Sequence, residues 1–167
     1  MTALFNSFVF DYVIKKRCTS LNLNYFIVKE SPVPYKLFES SNLHFLAKLS
    51  SRISLCAPHH QPLWEEIPDI TPETVTVQTL RANIRIVIDV FICWLYSLDQ
   101  EEVSYIFKDC DHSEHLISNR KFQQTLDPKG FWRVDSAKER TKRATVRTRE
   151  LYHKMLKKNP VNKHEWL

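Results

Sequence analysis

Residues 80–98 form the longest apolar stretch of the chain and constrain its fold more than any other segment. Past the first turn of this stretch, only Arg85, Asp89 and Ser97 interrupt it. A helix that is apolar on nearly every side lies in a protein core or spans a membrane. A span needs about 18–20 uninterrupted apolar residues, and Asp89 lies in the middle of this run. We therefore predict a core helix with no membrane association, in which Trp94 is largely buried.

Short-range signals within and after this helix predict a helical hairpin. Arg85 and Asp89 are four residues apart, so we expect them to pair on one helix face. Asp99 followed by Glu102 predicts a capping box at the start of a second helix, with aspartate in place of serine or threonine. The apolar face of this second helix is supplied by Val103, Ile106 and Phe107.

The N-terminal segment predicts a helix followed by a strand. Its apolar residues recur at helical spacing: Leu4, Phe5, Phe8, Val9, Tyr12 and Val13. The cations Lys15, Lys16 and Arg17, here called the basic corner, follow where the helix should end, and cations suit the last turn of a helix. Residues 25–28 are aromatic and β-branched, which is typical of a strand. Pro32 and Pro34 should end that strand, because proline cannot continue a ladder.

A proline-rich stretch separates the two halves of the chain. It contains Pro58, Pro62, Pro68 and Pro72, and a loop of this length in a compact domain is a spacer or has a function. We therefore divide the chain into residues 1–56, a connecting loop at 57–78, and a helical region at 79–167. The expected fold class is α+β, mostly α, with a short helix-strand segment, the loop, the core hairpin and a basic C-terminal helix.

The charge of the chain is concentrated near its C-terminal end. The net charge is +5, but residues 133–163 alone hold 11 Lys/Arg and 3 Asp/Glu. On a helix from about residue 137 to 158, one stripe carries Arg140, Arg143, Arg147, Lys154 and Lys158. A row of cations beside an apolar face suits phosphates. The stripe predicts either a nucleic-acid contact or a solvated helix face.

Composition excludes several other classes of protein. The chain has a single glycine, which argues against glycine-rich phosphate loops. Its four cysteines are widely spaced with no CxxC, as in reduced intracellular proteins. The N-terminal apolar stretch lacks a preceding basic region, so we expect no signal peptide and a cytoplasmic location. The crowded potential ligands Cys110, Asp111, His112 and His115 lack a second complementary pair, and we prefer a polar surface loop there to a metal site.

Three patches of the sequence resemble the C-terminal part of large bacterial adenine-N6 DNA methyltransferases of the type IIG restriction-modification class. They are LFNSFVFDYVIKKR…LNLNYFIVKESPVP, RANIRIVIDVFICWLYSLDQEEVSYIF and LDPKGFWRVD, the last being the most specific. Residues 35–73 match least. Two departures are visible: Thr19 and Ser20 stand where the family has two glycines, and Ser97 stands where it has a glycine at the helical turn.

The resemblance implies that residues 1–56 are part of a target-recognition segment, which reads DNA sequence. It assigns DNA contacts to the basic corner, to Asn22 and Asn24, which can hydrogen bond to adenine, and to Arg140, Arg143 and Arg147. The expected partners are double-stranded DNA and a separate catalytic methyltransferase chain. The alternative is a helical adaptor whose basic helix binds an acidic protein.

The catalytic elements of that family are missing. Its enzymes carry a glycine-bearing loop for S-adenosylmethionine and a polar residue followed by Pro-Pro and an aromatic residue, which holds the flipped adenine. In residues 31–35, Ser-Pro-Val-Pro-Tyr, the central Val33 breaks the proline pair. Pro68-Asp69 lacks the Glu-x-Lys or Asp-x-Lys partner of a restriction nuclease. We therefore expect no catalytic residue, no cofactor and no activity of the chain alone.

Overall fold

The computed structural model describes residues 1–18, 23–54, 60, 62 and 78–158, which are mostly α-helical and contain no β-strand. The α-helices of these ranges are α1 (Thr2–Phe5), α2 (Phe8–Arg17), α3 (Tyr25–Lys29), α4 (Ser40–Ser54), α5 (Gln78–Leu95), α6 (Gln100–Ile106), α7 (Glu114–Ser118), α8 (Arg120–Gln123) and α9 (Ala144–Lys158). Short 3-10 turns lie at Tyr35–Phe38, Phe131–Arg133 and Arg140–Lys142. The predicted predominance of helix is confirmed.

Helix α5 is the centre of the core, as its apolar sequence predicts. Phe91, Ile92 and Cys93 are fully buried, and α9, α4 and α2 all pack against α5. The largest hydrophobic cluster contains Leu4 and Leu46 from the N-terminal segment as well as Phe91 from α5. Residues from both sides of the proline-rich stretch therefore share one core.

The turn between α5 and α6 is built as a Schellman motif followed by a capping box. The Leu98 N–H donates to Cys93 O (3.2 Å) and the Ser97 N–H to Trp94 O (2.9 Å), which are the two bonds of that motif. Ser97 has φ 57°, so it adopts the left-handed conformation that glycine favours. Asp99 and Glu102 then form the predicted capping box, with both hydrogen bonds at 2.8 Å.

The predicted N-terminal strand is wrong, because residues 25–28 belong to helix α3. The Ile27 N–H donates to Asn24 O (3.0 Å) and the Glu30 N–H to Phe26 O (2.9 Å). A strand must take its hydrogen bonds from a neighbouring strand, and no other strand occurs in the described ranges. Without that partner, short local bonds satisfy the backbone despite the strand-like composition.

The first predicted helix divides at Ser7 into α1 and α2. The Ser7 side chain accepts a hydrogen bond from the Phe10 N–H and donates to Leu4 O (2.7 Å), so this buried serine is the N-cap of α2. Lys15, Lys16 and Arg17 lie in the last turn of α2, as expected. The helical spacing predicts Phe5 on the buried face, but this residue is 47% exposed.

Trp94 is largely buried, as predicted, although less completely than Phe91, on which it stacks with ring centroids 5.3 Å apart. One expectation for α5 is corrected. Asp89 is buried and its Oδ1 accepts a hydrogen bond from the Phe8 N–H at 2.9 Å. Arg85 is exposed, so the two residues do not form a surface ion pair.

Candidate nucleic-acid interface

The C-terminal helix begins later than its sequence pattern predicts. Asp135 has φ 55°, and its Oδ2 accepts the hydrogen bond of the Ala144 N–H (3.2 Å) at the start of α9. Its Oδ1 pairs with Lys138 (2.9 Å). A carboxylate suits a helix N-terminus, where the amide dipoles are unsatisfied. The segment before Ala144 is therefore a turn, and the first two cations of the predicted stripe lie outside the helix.

Arg143 is fully buried, so its predicted outward orientation is wrong. Its guanidinium donates to four backbone carbonyl oxygens: Lys138 O at 3.0 Å, Cys110 O at 3.1 Å, His112 O at 2.6 Å and Ser136 O at 3.2 Å. The planar fork of five donors makes arginine suited to such a site. Arg143 ties the segment before α9 to residues 110–112, and it cannot reach a phosphate.

Three cations of α9 keep the spacing of one helix face: Arg147, Lys154 and Lys158, here called the basic face. Lys154 and Lys158 are exposed, and Arg147 is half-buried with its guanidinium donating to Asn83 Oδ1 at 2.9 Å. None of the three forms an ion pair with a carboxylate of the described residues. Arg140, on the turn before the helix, is exposed as well.

The basic corner differs, because each of its cations has an acidic partner. Lys15 pairs with Asp11 at 2.8 Å, Lys16 with Asp127 at 3.1 Å, and Arg17 with Glu30 at 3.3 Å. The Asp127 hydrogen bond raises the pKa of Lys16. The pKa of Asp127 is lowered, mainly by the hydrogen bond from the Lys129 N–H and secondly by the hydrogen bond from Lys16. The positive charge of the corner is therefore largely balanced within the fold.

The three patches that carry the resemblance lie together in space, since the Phe8 ring lies 5.5 Å from the Phe107 ring and 5.1 Å from the Phe131 ring. The Lys129 ammonium donates to Lys15 O and Cys18 O, both at 2.9 Å, which are carbonyl oxygens at the C-terminal end of α2. The Gly130 N–H donates to Asp127 O at 3.0 Å and so closes a turn over residues 127–130. Gly130 needs no left-handed backbone there, since its φ is −69°. The 127–130 turn thus docks on the end of the helix that carries the basic corner.

The two predicted asparagines have different outcomes. Asn24 is exposed at the N-terminus of α3, where its side chain makes no capping hydrogen bond. Its amide is therefore available to a ligand. Asn22 lies outside the described residues, as do Thr19 and Ser20 and most of the 57–78 loop.

The crowded Cys-Asp-His segment is occupied by contacts within the protein. Cys110 is buried, and burial raises the pKa of its thiol to about 11. Asp111 binds Arg149 at 2.9 Å, and that hydrogen bond lowers the pKa of the carboxyl. His112 Nε2 lies 3.3 Å from Asp109 Oδ1. Among the described residues, no three potential ligands of these types converge on one point.

Sequence reasoning missed the contact that holds Arg147 in place. Asn83 is exposed in the first half of α5, 64 residues away in the chain, and nothing in its local pattern marks it. Glu150 was also overlooked. It is exposed and lies three residues after Arg147 and four before Lys154, so it places one negative charge beside the basic face.

No protein-family model, curated protein or solved structure matches this chain. Within the part of the chain that the structure describes, no helix has the length and apolar character needed to cross a bilayer. The geometry of the basic face and the resemblance of the three patches are therefore the grounds on which a function is proposed.

Proposed function

We propose that this protein is the DNA-binding, target-recognition portion of an adenine-N6 DNA methyltransferase or type IIG restriction-modification protein. It has no transferase activity alone and works beside a separate catalytic chain. The resemblance of three patches supports this function. The single structural observation that carries it is that Arg147, Lys154 and Lys158 share one face of α9 without a carboxylate partner among the described residues.

The basic face and the basic corner have different roles in this proposal. Unpaired surface cations gain most from phosphates, because they release counterions from the duplex without first breaking an ion pair. The face therefore supplies affinity that is independent of sequence. Asn24, beside the corner, supplies a hydrogen-bonding edge for a base. The paired cations of the corner position the segment.

The adaptor alternative has its own support in Leu151. This residue is 41% exposed and lies between Arg147 and Lys154 on α9. An exposed leucine among cations suits a protein surface that is both acidic and apolar, whereas phosphates gain nothing from it. In this second candidate function the same face binds an acidic protein.

The test compares two triple variants in a titration of fluorescent duplex DNA at several salt concentrations. The first is Arg147→Gln/Lys154→Gln/Lys158→Gln, and the matched control is Lys15→Gln/Lys16→Gln/Arg17→Gln. Each phosphate contact contributes about 0.9 to the slope of log K against log salt. We expect the first triple to lower the slope by up to about 2.7 and the control to lower it much less. Equal losses in both would contradict a specific role of the face.

Two single variants complete the test. Glu150→Gln removes the negative charge beside the face, so it should strengthen binding to every duplex. Leu151→Gln should leave DNA binding unchanged, but it should weaken binding to an acidic apolar peptide if the adaptor alternative holds. Titration with polyglutamate serves as the second probe. Saturable binding to polyglutamate, with no salt-dependent binding to DNA, would favour the adaptor and overturn the DNA assignment.

A further inference from the structure

A cavity of about 470 Å³ is not used by the proposed function. It is lined by the α1–α2 junction, the end of α4, the middle of α5, residues 134–135 and the start of α9. Its polar lining includes Asn6, Ser50, Arg85 and Asp89, and its apolar lining includes Phe8 and Ile88. Ligand pockets typically measure about 300–1,000 Å³ and combine an apolar wall with a few polar groups.

Asp89 is the most unusual group of the cavity. It is only 6% exposed, and Oδ1 accepts its hydrogen bond from the Phe8 N–H at 2.9 Å. Oδ2 has no hydrogen-bond partner among the described residues. The Asp89 side chain lines the cavity. Burial raises the pKa of this carboxyl to about 7. A buried carboxyl with an unused oxygen is costly unless a partner satisfies it.

Two neighbours of Asp89 offer free hydrogen-bond acceptors. Asn6 donates one of its two amide N–H groups to Thr2 O at 2.9 Å, which leaves its side-chain oxygen for a ligand. Ser50 donates its hydroxyl to Leu46 O at 2.7 Å, which leaves oxygen lone pairs for a ligand. Asp135 is already occupied by Lys138 and the Ala144 N–H. The site beside Asp89 therefore suits a group with several N–H donors.

Arg85 limits which cation can enter. It is exposed, lies one helical turn from Asp89, and makes no ion pair with the described residues. Its positive charge acts on Asp89, since it lowers the pKa of that carboxyl against the larger effect of burial. A purely cationic ligand would be repelled by this guanidinium, whereas a ligand that also carries an anion would bind both residues.

We propose that this cavity binds a small zwitterion of the α-amino-acid class, with its ammonium group on Asp89 and its carboxylate on Arg85. The apolar wall formed by Phe8, Ile88 and Val134 accepts an uncharged side chain. Ammonium and carboxylate are one carbon apart in an α-amino acid, and residues four apart on a helix are neighbours on its surface. The inference is independent of DNA binding.

The first experiment measures the thermal stability of the full chain at pH 8 with each neutral α-amino acid. At ten times its Kd, a ligand of this class should raise Tm by roughly 3–5 °C. The N-acetyl form of the same amino acid lacks the ammonium charge and should produce no shift, and the carboxamide form lacks the carboxylate charge and should produce a much smaller shift. Equal shifts with these forms would overturn the zwitterion assignment, and no shift with any amino acid at millimolar concentration would overturn the site.

Variants locate the binding within the cavity. Asp89→Asn should abolish the shift, and Arg85→Gln should weaken Kd about tenfold or more, the effect expected of one charge-assisted contact. Lys121→Gln, on α8, is the matched control and should bind as the parent does. Arg85 is exposed, so Arg85→Gln tests the site even if Asp89→Asn folds poorly. An unchanged Kd in Arg85→Gln would overturn the proposal. DNA titrations of Arg85→Gln should match those of the parent. That result would show that the amino-acid cavity and the DNA-binding basic face can be tested independently of each other.

Discussion

At the scale of single residues, Arg143 has a structural role that its charge and its position in a basic segment do not indicate. It is a cation in a basic segment, yet its guanidinium is enclosed and satisfied by main-chain oxygens from two separate segments. Carbonyl oxygens that lose their donor inside a protein cost about 1–3 kcal/mol each. The residue therefore contributes to stability and not to a binding surface.

The prediction for Arg143 follows from the shape of its side chain. Arg143→Lys keeps the charge but replaces a fork of five donors by one ammonium with three. At least one buried carbonyl loses its partner, so we expect the free energy of unfolding to fall by about 3 kcal/mol. Urea denaturation measures it. Arg140→Lys, at an exposed position, is the control and should change stability by less than about 0.5 kcal/mol. Similar losses in the two variants would contradict the buried role.

Asp89 predicts a pH dependence of stability. Because burial raises its pKa from 3.8 to about 7 in the folded chain, the folded state binds a proton between these values that the unfolded state has released. The contribution of Asp89 to stability is therefore full below about pH 4 and is lost as pH rises through about 7. The other charged groups that face it are Arg85 and Asp135 across the cavity.

Asp89→Asn isolates this effect, because asparagine can still accept the Phe8 hydrogen bond. The difference in free energy of unfolding, parent minus variant, should fall with pH by up to about 1.4 kcal/mol per unit between pH 4.5 and 7. Above pH 7 it should be flat. Urea titrations at half-unit steps measure the difference, and a constant difference over this range would show that Asp89 is not buried as a neutral acid.

At the scale of elements, the orientation of α5 decides which of its aromatic residues lies deepest in the core. Phe91 is fully buried, whereas Trp94 keeps a partly exposed edge, and Lys36 Nζ lies 5.4 Å from the centroid of its ring. Phe91→Ala should cost roughly 3–5 kcal/mol, and Trp94→Ala clearly less, as measured by chemical denaturation. Tyr105→Ala, at a residue 62% exposed, should have a small effect. A larger loss in Trp94→Ala than in Phe91→Ala would contradict the observed orientation of α5.

At the scale of the whole molecule, the shared core predicts cooperative unfolding of the two halves. Val9 in α2 is 2% exposed and belongs to the same cluster as Phe91 of α5 and Met155 of α9. Val9→Ala removes two buried methyl groups, at about 0.8 kcal/mol each plus a cavity term. Hydrogen exchange should show the same loss of protection, about 2 kcal/mol, in the slowest amides of α2, α5 and α9. A loss confined to α2 would show that the N-terminal half unfolds separately.

Features that depend on neighbouring residues were predictable from the sequence. The core position of α5 follows from a run of apolar side chains, and the Asp99–Glu102 capping box joins groups three residues apart. The basic last turn of α2 likewise follows from helix periodicity. Such signals are local because the helix supplies its own hydrogen bonds, so no distant partner is needed to complete them.

Features that depend on distant partners were decided only by the tertiary structure. Residues 25–28 have strand composition, but without a neighbouring strand their backbone is satisfied by a helical turn. Arg143 is buried because carbonyl oxygens 31 and 33 residues away surround it. The cavity around Asp89 likewise needs α1, α4, α5 and α9 to meet. The amino-acid sequence shows which side chains are apolar or charged, but it does not show which distant oxygen atom a cation will contact.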